Sequence, residues 1–426
     1  MDKTEARPSQ ALIVAHSFGG GAGRASEKLH LALSDLATDE FQFSALIGQR
    51  KSSQLRHGAK GVSEFTLSLP RKVLIEGVTR AVRWLGAPRH SGLLSPAIVN
   101  TGLLSRINES KPDVVNLHWL GHNTLSVREI GSIQAPIVWS LHDEWFYSGA
   151  AHYSASGALH DQVDHETTTR VRAFDVNKMV NQMKQRHWTT PMHLVVPGHW
   201  LATKLEESSL AKHHEIHVIP YPIDLDLFQP VDNQGARETL GLSVDDKVVL
   251  FGANNPTSDP RKGWDLLVEA LGRLWAEGQR FHLVVFGNPD RSQESQVPFP
   301  IKWLGNIGSD QQLADTYRLA DLIAIPSRAD NLPLTGLESQ ACGIPVVAFD
   351  TAGMPDVAVH RETGYLAQPF DTVDFAQGMA WILSDDNVRA QLSTAARTRA
   401  EKLWRPSTIA AQYLEVYEQA IAAHHR

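Results

Sequence analysis

Residues 330–349 read Asp-Asn-Leu-Pro-Leu-Thr-Gly-Leu-Glu-Ser-Gln-Ala-Cys-Gly-Ile-Pro-Val-Val-Ala-Phe, and they are the most informative segment of the chain. Two carboxylates, Asp330 and Glu338, stand eight residues apart, the first in a predicted loop and the second just inside a predicted short helix. A buried strand is predicted from Pro345 to Phe349, because parallel strands covered on both faces are apolar at consecutive positions. The order of strand, loop, helix and strand indicates an α/β sheet.

The acidic pair suggests which ligand this loop binds. Backbone N–H groups at the start of a helix are favourable partners for phosphate. Asp330 on one side of them is suited to accept hydrogen bonds from sugar hydroxyls, and Glu338 on the other side from a ribose diol. The stretch therefore predicts a sugar-nucleotide site. A solvated surface helix is the alternative interpretation.

Length and composition set the outer limits. A chain of 426 residues suits two domains of about 200 residues each. Its 42% hydrophobic and 20% charged residues exclude the disordered and collagen-like classes. The single cysteine, Cys342, excludes an internal disulfide framework and a cysteine-based zinc site. The first apolar run, Ala11–Ala15, is too short for a signal peptide, and no stretch approaches the length of a membrane span. We expect a cytoplasmic protein.

The charge is unevenly distributed along the chain. Residues 1–220 carry 23 Lys and Arg against 20 Asp and Glu, whereas residues 221–426 carry 17 against 27. The first part is therefore +3 and the second −10, within a net charge of −7. A first half that is basic relative to the second suggests contact with an anionic surface or acceptor, and ordinary variation is the alternative. We expect no nucleic acid partner.

Short apolar runs alternate with helical patterns along most of the chain, which predicts doubly wound α/β sheets. Helices are predicted at 24–36, 264–277 and 310–320. The predicted strands are Ala11–Ala15, Val114–Leu117, Ile137–Ser140, His193–Val196, His217–Ile219, Val248–Gly252, His282–Phe286, Asp321–Ile325 and Pro345–Phe349. Three prolines punctuate Pro220–Pro230, which predicts a domain boundary there.

Further candidate residues lie at strand ends, where open α/β sheets bind ligands. The glycine-rich loop 17–24 follows the first strand, and the loop 251–263, with Arg261 and Lys262, follows a later one. We expect Lys262 to stay hydrated. His142 and His118-Trp119 end two neighbouring strands, and a buried structural role is the alternative for each.

These motifs resemble those of retaining GT-B glycosyltransferases. The pair Asp330 and Glu338 resembles their Glu-x7-Glu signature, with Asp in the first place. Lys262-Gly263 matches the usual Lys-Gly position, although the usual loop arginine is displaced and Arg261 adjoins the lysine instead. The glycine loop resembles the Gly-Gly-Ala turn of glycosyltransferase family 4. The run from His142 to Trp145 resembles the His-Asp-x-Trp of capsule, colanic-acid and exopolysaccharide-type members.

The resemblance implies a fold and a reaction. The fold is GT-B: two doubly wound Rossmann-like domains facing a cleft, with 1–220 on the acceptor side and 221–405 binding the nucleotide sugar. Helix 406–426 is expected to cross back to the first domain. The enzyme is expected to transfer a hexose, with retention, from a nucleotide diphosphate sugar to a glycan or lipid-linked acceptor in surface polysaccharide biosynthesis. No enzyme carboxylate attacks, and the acceptor proton passes to the departing phosphate.

The resemblance also implies roles for individual residues. Catalytic roles fall to His142, Lys262 and Asp330. The acceptor side is expected to include His118, Trp119 and His152. Donor binding falls to Gly20, Gly21, Ala22, Arg261, Lys262, Asp330, Asn331, Leu332, Pro333, Leu334, Thr335 and Glu338.

We expect neither a cofactor nor an essential metal. Asp224-Leu225-Asp226 has the form of an Asp-x-Asp metal clamp, but it lies in the linker pattern rather than after a buried strand. No His-x3-His pair coincides with a carboxylate cluster on a recognisable helix.

The segment 70–85 is a candidate for membrane contact. Leu74, Val78, Val82 and Leu85 are predicted to share one helical face, with basic residues beside it. Such a helix either packs on its own sheet or lies on the anionic inner face of a membrane.

Two other functions remain open at this point. One is a catalytically silent GT-B binding partner of another transferase, which the Asp at position 330 and the displaced arginine suggest. The other is a GT-B sugar-nucleotide epimerase.

Overall fold

The computed structural model describes residues 8–36, 41–49, 61–86, 93–153, 175–231, 234–288 and 297–425. The chain divides into two compact units: Met1–Tyr221 with Ser407–Arg426, and Pro222–Pro406. The division falls at the start of the proline-punctuated segment, and residues 407–426 group with the first unit.

The first unit is built on a seven-stranded sheet in which every pairing is parallel. Its spatial order is β3-β2-β1-β4-β5-β6-β7, so the order reverses between β1 and β4. Ligands of open α/β sheets bind at the carboxyl ends of the strands at such a switch point. The strands are β1 Ser9–Ser17, β2 Phe41–Gln49, β3 Val62–Glu64, β4 Val114–Leu117, β5 Ile137–Ser140, β6 His193–Val196 and β7 Glu215–Val218.

Helices cover both faces of this sheet. One face packs on the first and last helices of the unit, with Ile13 of β1 near Leu33 and Tyr417 in one core cluster. Leu12 and Val14 point to the other face and a second cluster. The helices are α1 Gly20–Asp35, α2 Leu69–Gly86, α3 Leu103–Glu109, α4 Val127–Ile130, α5 Trp145–Ser148, α6 Val176–His187, α7 His199–Glu206 and α15 Pro406–His424.

The second unit has a six-stranded parallel sheet of order β10-β9-β8-β11-β12-β13, with its switch point between β8 and β11. The strands are β8 Val248–Gly252, β9 His282–Phe286, β10 Ile301–Gly305, β11 Leu322–Ile325, β12 Val346–Phe349 and β13 Gly364–Ala367. The helices are α8 Gln234–Thr239, α9 Trp264–Ala276, α10 Asp310–Arg318, α11 Leu334–Ala341, α12 Met354–Val357, α13 Thr372–Ser384 and α14 Asp386–Leu403.

The segment after the unit boundary is held inside the second unit. The guanidinium of Arg397 donates to the backbone carbonyls of Leu225, at 3.2 Å, and Phe228, at 2.8 Å. One carboxylate oxygen of Asp224 accepts from the amide of Leu227 at 3.1 Å and so closes a turn. Asp224 therefore has a structural use, as its place in the linker pattern predicted.

Helix α2 has the predicted apolar face, which is buried only in part. Val82 is buried and Val78 packs on the core of the first unit, as a helix on its own sheet should. Leu74 shares this helical face, as predicted, but its side chain is 54% exposed. The side chains of Arg83 and Leu85 lie outside the described part. Within the described ranges, no helix combines the length and apolarity needed to cross a bilayer.

Candidate functional site

The loop after β8 meets the loop after β11 at the switch point of the second unit. Gly263 adopts a φ of +68°, and a Cβ there would lie 2.0 Å from the carbonyl oxygen of Pro326, so only glycine fits this approach. The approach brings the short 3-10 turn Pro260–Lys262 beside Asp330. The Lys262 ammonium donates to both carboxylate oxygens of Asp330, at 2.9 and 2.7 Å.

The Asp330 carboxyl is held ionised in its pair with Lys262. Burial of Asp330 alone would raise the pKa of its carboxyl, but the Lys262 charge, the Arg261 charge and a hydrogen bond from Ser327 act against burial. The net result is a pKa below the ordinary value. The expectation that Lys262 stays hydrated was wrong: its side chain is 21% exposed and engaged with a carboxylate that is 11% exposed.

Two further ion pairs fix the loops around Lys262. Arg261 forms a fork with Asp259, at 3.2 and 2.6 Å. Arg328 forms another with Asp265, at 2.8 and 2.6 Å, and its amide donates to the Arg261 carbonyl at 2.8 Å. Sequence reasoning missed Arg328, although it stands two residues before Asp330 in the same loop.

Helix α11 begins next to this pair. Its N-cap residue is Pro333, which offers no side-chain cap, so the first amides of the helix, including those of Leu334 and Thr335, lack an intrahelical acceptor. Glu338 lies one turn further and is fully buried, and one of its oxygens accepts from the Tyr317 hydroxyl at 2.9 Å.

The loop that carries Asn331 and Leu332 is pressed against the chain. Both residues are buried. The amide of Gly353 donates to the Asp330 carbonyl at 3.0 Å, and a Cβ on Gly353 would lie 1.3 Å from the carbonyl oxygen of Asn331. The backbone between Asp330 and the start of α11 is therefore closely fixed.

The helix that follows the glycine loop of the first unit begins at Gly20, four residues earlier than predicted. Gly20, Gly21 and Ala22 form the first turn of α1 instead of the turn before it. The N-cap residue Gly19 makes no side-chain cap. A Cβ on Gly21 would meet nothing within 4 Å, whereas one on Gly23 would lie 2.5 Å from the Ser17 carbonyl oxygen. Close packing therefore requires glycine at position 23, whereas there is open space beside Gly20 and Gly21.

His142 lies in a chain of buried polar groups. Its Nε2 is 3.0 Å from Nδ1 of His118, and its Nδ1 is 2.8 Å from the Tyr221 hydroxyl. The amide nitrogen of Asn116 donates to the carbonyl of Val138 at 3.1 Å, so its oxygen faces Nε2 of His118. His118 therefore donates from Nε2 and accepts at Nδ1, His142 donates from Nε2, and the Tyr221 hydroxyl donates to Nδ1 of His142.

Both imidazoles of this chain are neutral at neutral pH. Burial lowers the pKa of His142 to about 4, against a smaller opposing effect of Asp143. Burial, followed by the neighbouring His142, holds the pKa of His118 well below its usual value. His118 thus contacts His142 and fixes its tautomer, which is a positioning role.

A second network joins the other two predicted acceptor-side residues. One carboxylate oxygen of Asp143 accepts from the Trp119 indole at 2.7 Å and lies 2.6 Å from Nδ1 of His152. Nε2 of His152 is 2.8 Å from the Ser95 hydroxyl. This is the order of a hydrolytic triad, but Ser95 is fully buried and its oxygen also accepts from the amide of His122. The network therefore holds Trp119 in place rather than presenting a nucleophile.

The second unit also contains the part of the chain that matches a family model. Residues 234–399 match the family described as "Glycosyl transferases group 1". This range includes Lys262, Asp330 and Glu338, so the predicted donor residues of the second unit lie inside it.

Proteins with curated names that are similar to part of the chain are also glycosyltransferases by name. The chain is 34% identical over 217 residues to "D-inositol 3-phosphate glycosyltransferase" of Saccharomonospora viridis, covering 47% of this chain and 49% of that protein. The protein of that name from Xylanimonas cellulosilytica is 34% identical over 227 residues, covering 48% and 51%. The chain thus spans about half the length of the curated relatives it matches.

Solved structures resemble the chain over nearly its whole length. Sucrose-phosphate synthase from Thermosynechococcus elongatus has a TM-score of 0.71 at 21% identity, covering 98% of this chain and 100% of that one. Anabaena HepE in complex with UDP and glucose has a TM-score of 0.66 at 16% identity, covering 96% and 100%. These likenesses confirm the expected fold class, two Rossmann-like α/β domains of the GT-B type.

Proposed function

We infer that the chain is a glycosyltransferase that moves a hexose from a nucleotide diphosphate sugar to a hydroxyl of a glycan or lipid-linked acceptor, with retention of anomeric configuration. The observation that carries this is the Lys262–Asp330 pair beside the uncapped start of α11, inside the range that matches the family. A cation, a hydroxyl-binding carboxylate and helix amides at one switch point suit the diphosphate and sugar of one donor.

The charges of the second unit suggest how the reaction proceeds. Lys262, with Arg261 next to it, neutralises the leaving diphosphate as the bond from the anomeric carbon to the phosphate oxygen breaks. The acceptor oxygen bonds to the same carbon, and its proton passes to the departing phosphate oxygen. When the diphosphate takes the Lys262 ammonium, Asp330 is released to accept hydrogen bonds from the sugar. Since these groups supply the positive charge, turnover is expected to survive excess chelator.

Glu338 tests the donor half of the proposal. Its carboxylate is assigned to the ribose diol, and an ionised acceptor binds a hydroxyl about twice as strongly as a neutral one. We expect Glu338→Gln to weaken nucleotide-sugar binding at least roughly tenfold, equivalent to about 1.4 kcal/mol. Calorimetry with UDP-, GDP- and ADP-sugars measures this effect.

Tyr317→Phe is the matched control, because it removes the hydroxyl that Glu338 accepts from but leaves the carboxylate. Equal and small losses of affinity in both variants would show that Glu338 serves only to hold Tyr317.

The nature of the acceptor and the two other functions need separate measurements. The inositol phosphate named for the curated relatives makes a phosphorylated cyclitol the first soluble acceptor to try, beside lipid-linked glycans. Release of nucleoside diphosphate without acceptor distinguishes an enzyme from a silent partner. An epimerase would instead return a second sugar stereoisomer, which chromatography of the sugar detects.

A second part of the proposal concerns membrane contact through α2. Leu69, Val73 and Trp84 are 74%, 64% and 86% exposed, and Lys72 and Arg80 are exposed on the same helix. Exposed apolar and basic residues on one helix are typical of contact with an anionic bilayer surface. We therefore propose peripheral binding at the inner face of the membrane.

Sedimentation with vesicles tests the membrane contact. The wild-type protein is expected to sediment with vesicles that contain phosphatidylglycerol and to stay in the supernatant with neutral vesicles. Trp84→Ser should reduce binding at any salt concentration. Arg80→Glu should reduce it chiefly at low salt, because salt screens the charge. Failure of wild type to bind anionic vesicles at low salt would refute the contact.

A further inference from the structure

Three metal-ligating side chains converge on the last two strands of the first unit. Nδ1 of His193 lies 3.1 Å from Nε2 of His217 and 3.4 Å from a carboxylate oxygen of Glu215. Nε2 of His217 lies 4.0 Å from the same oxygen. Among the described residues these three make a group whose ligand atoms all fall within 4.8 Å of one another.

The sheet itself produces this convergence. His193 begins β6 and stands opposite Glu215, which begins β7, in the parallel register. Glu215 and His217 are two residues apart on β7, so their side chains leave the same face of the sheet. The sequence did not indicate this group, because its ligands come from two strands and have no His-x3-His spacing along one helix.

We propose that His193, Glu215 and His217 bind a zinc ion that ties the edge strand β7 to β6. Tetrahedral zinc with bonds of about 2.0–2.2 Å places its donors roughly 3.3–3.6 Å apart. Two of the separations present, 3.1 and 3.4 Å, are close to this range, and the third, 4.0 Å, requires a small shift of the exposed Glu215 side chain. Two imidazoles and one carboxylate are ligands that zinc accepts, and a fourth position stays open to water.

The electrostatics of the group suit a cation. Burial lowers the pKa of both His193 and His217, which favours the neutral imidazoles that bind metal. Glu215 supplies a negative charge, and its side chain is 68% exposed, so an ion can enter from solvent.

The position separates this site from the proposed transferase chemistry. His193 and Glu215 begin their strands, whereas His118 and His142 follow the last residues of β4 and β5. Zinc at this place would strengthen the last strand before the unit boundary without touching the groups assigned to the reaction. A metal-independent turnover and a bound structural zinc are therefore compatible.

Zinc binding is measured on the full chain without an affinity tag, after removal of metal with chelator and desalting. We expect one tightly bound zinc per chain, a higher melting temperature with zinc, and tetrahedral d–d absorption with Co²⁺. His193→Gln and His217→Gln should each weaken zinc binding at least about 100-fold, since losing even a partner of a ligand costs 10–100-fold. Donor hydrolysis should stay near the wild-type rate in His217→Gln.

Two further variants keep the test decisive. Glu215→Gln changes an exposed side chain, should leave the metal-free protein folded, and should weaken zinc binding even where a histidine variant fails to fold. His424→Gln with His425→Gln removes an exposed histidine pair elsewhere and should retain the tight site. Equal zinc affinity in wild type and Glu215→Gln, or loss of the tight site in the His424 and His425 variant, would overturn the proposal.

Discussion

Replacing Lys262 by alanine should destabilise the second unit, because it leaves the Asp330 carboxylate buried without its ammonium partner. Removing one member of a buried ion pair costs about 3–5 kcal/mol. Both side chains keep some exposure, 21% and 11%, so we expect a smaller loss of about 2–4 kcal/mol. For a unit of this size the loss corresponds to a melting temperature roughly 5–15 °C lower.

The pH dependence of this loss provides its signature. Burial raises the pKa of Asp330, and the charge of Lys262 is the largest effect that lowers it. The pKa of Asp330 must therefore rise when Lys262 is replaced by alanine. In wild type the folded pKa lies below the unfolded value, so the pairing stabilises above the unfolded pKa and is lost as pH falls through the folded one. A protonated Asp330 needs no cation, so the gap between variant and wild type should narrow as pH falls from 7 towards 4.

A double-mutant cycle measured by circular dichroism completes the test. Asp330→Asn keeps the shape of the side chain and removes its charge, so Lys262→Ala with Asp330→Asn should be more stable than Lys262→Ala alone. Turnover should fall by roughly 10²–10³-fold in Lys262→Ala if the ammonium also stabilises the leaving diphosphate. The reasoning would be refuted if the melting temperature of Lys262→Ala stayed within about 1–2 °C of wild type, a stability difference of about 0.5 kcal/mol, at every pH tested. Lys262 would then be a hydrated loop residue.

Three other predictions concern single positions. Gly263→Ala should destabilise the protein by more than about 1 kcal/mol in thermal unfolding, since its φ of +68° suits glycine, whereas Gly272→Ala in open space on α9 should not. Stability should fall as pH drops from 6.5 towards 4, because burial lowers the pKa of folded His142 to about 4 while the unfolded chain takes up the proton, and urea titrations across that range measure it. Asn116→Leu should lower kcat more than it changes KM and alter the histidine tautomer signals in ¹⁵N NMR, because His118 loses the acceptor that fixes it.

Most strands that are buried on both faces could be predicted from the sequence, whereas β2 and the edge strands β3, β10 and β13 could not. β8, β11 and β12 are buried on both faces, so their residues form uninterrupted apolar runs. β3 has only three residues, of which two are exposed, and β10 is only partly buried throughout, so neither gives a clear run. The helix starting at Gly20 was placed late because glycine normally argues against helix.

The candidate residues were predictable one by one, whereas their partners were not. Both Lys262 and Asp330 stand out by motif, yet they are 68 positions apart and meet only because β8 and β11 are neighbours in the sheet. Lys184 shows the same limit more strongly. It lies in a helix rich in charged and polar residues, but it is fully buried and donates to the backbone carbonyls of Trp145 and Gly149.

The two units place different kinds of polar group after the carboxyl ends of their strands, and the difference follows from burial. In the second unit the ammonium of Lys262 contacts Asp330 and helps to hold the pKa of that carboxyl below its ordinary value. In the first unit, burial outweighs the opposing effect of Asp143 on the pKa of His142 and also lowers the pKa of His118, so both imidazoles are neutral. Charged groups suit the diphosphate of a donor, whose charge changes during transfer, and neutral imidazoles suit hydroxyls, which they bind without adding charge. In the proposed function, the charged loops of the second unit therefore bind the donor diphosphate and the histidines of the first unit bind a hydroxyl, and the Lys262 and Asn116 variants test these two roles separately.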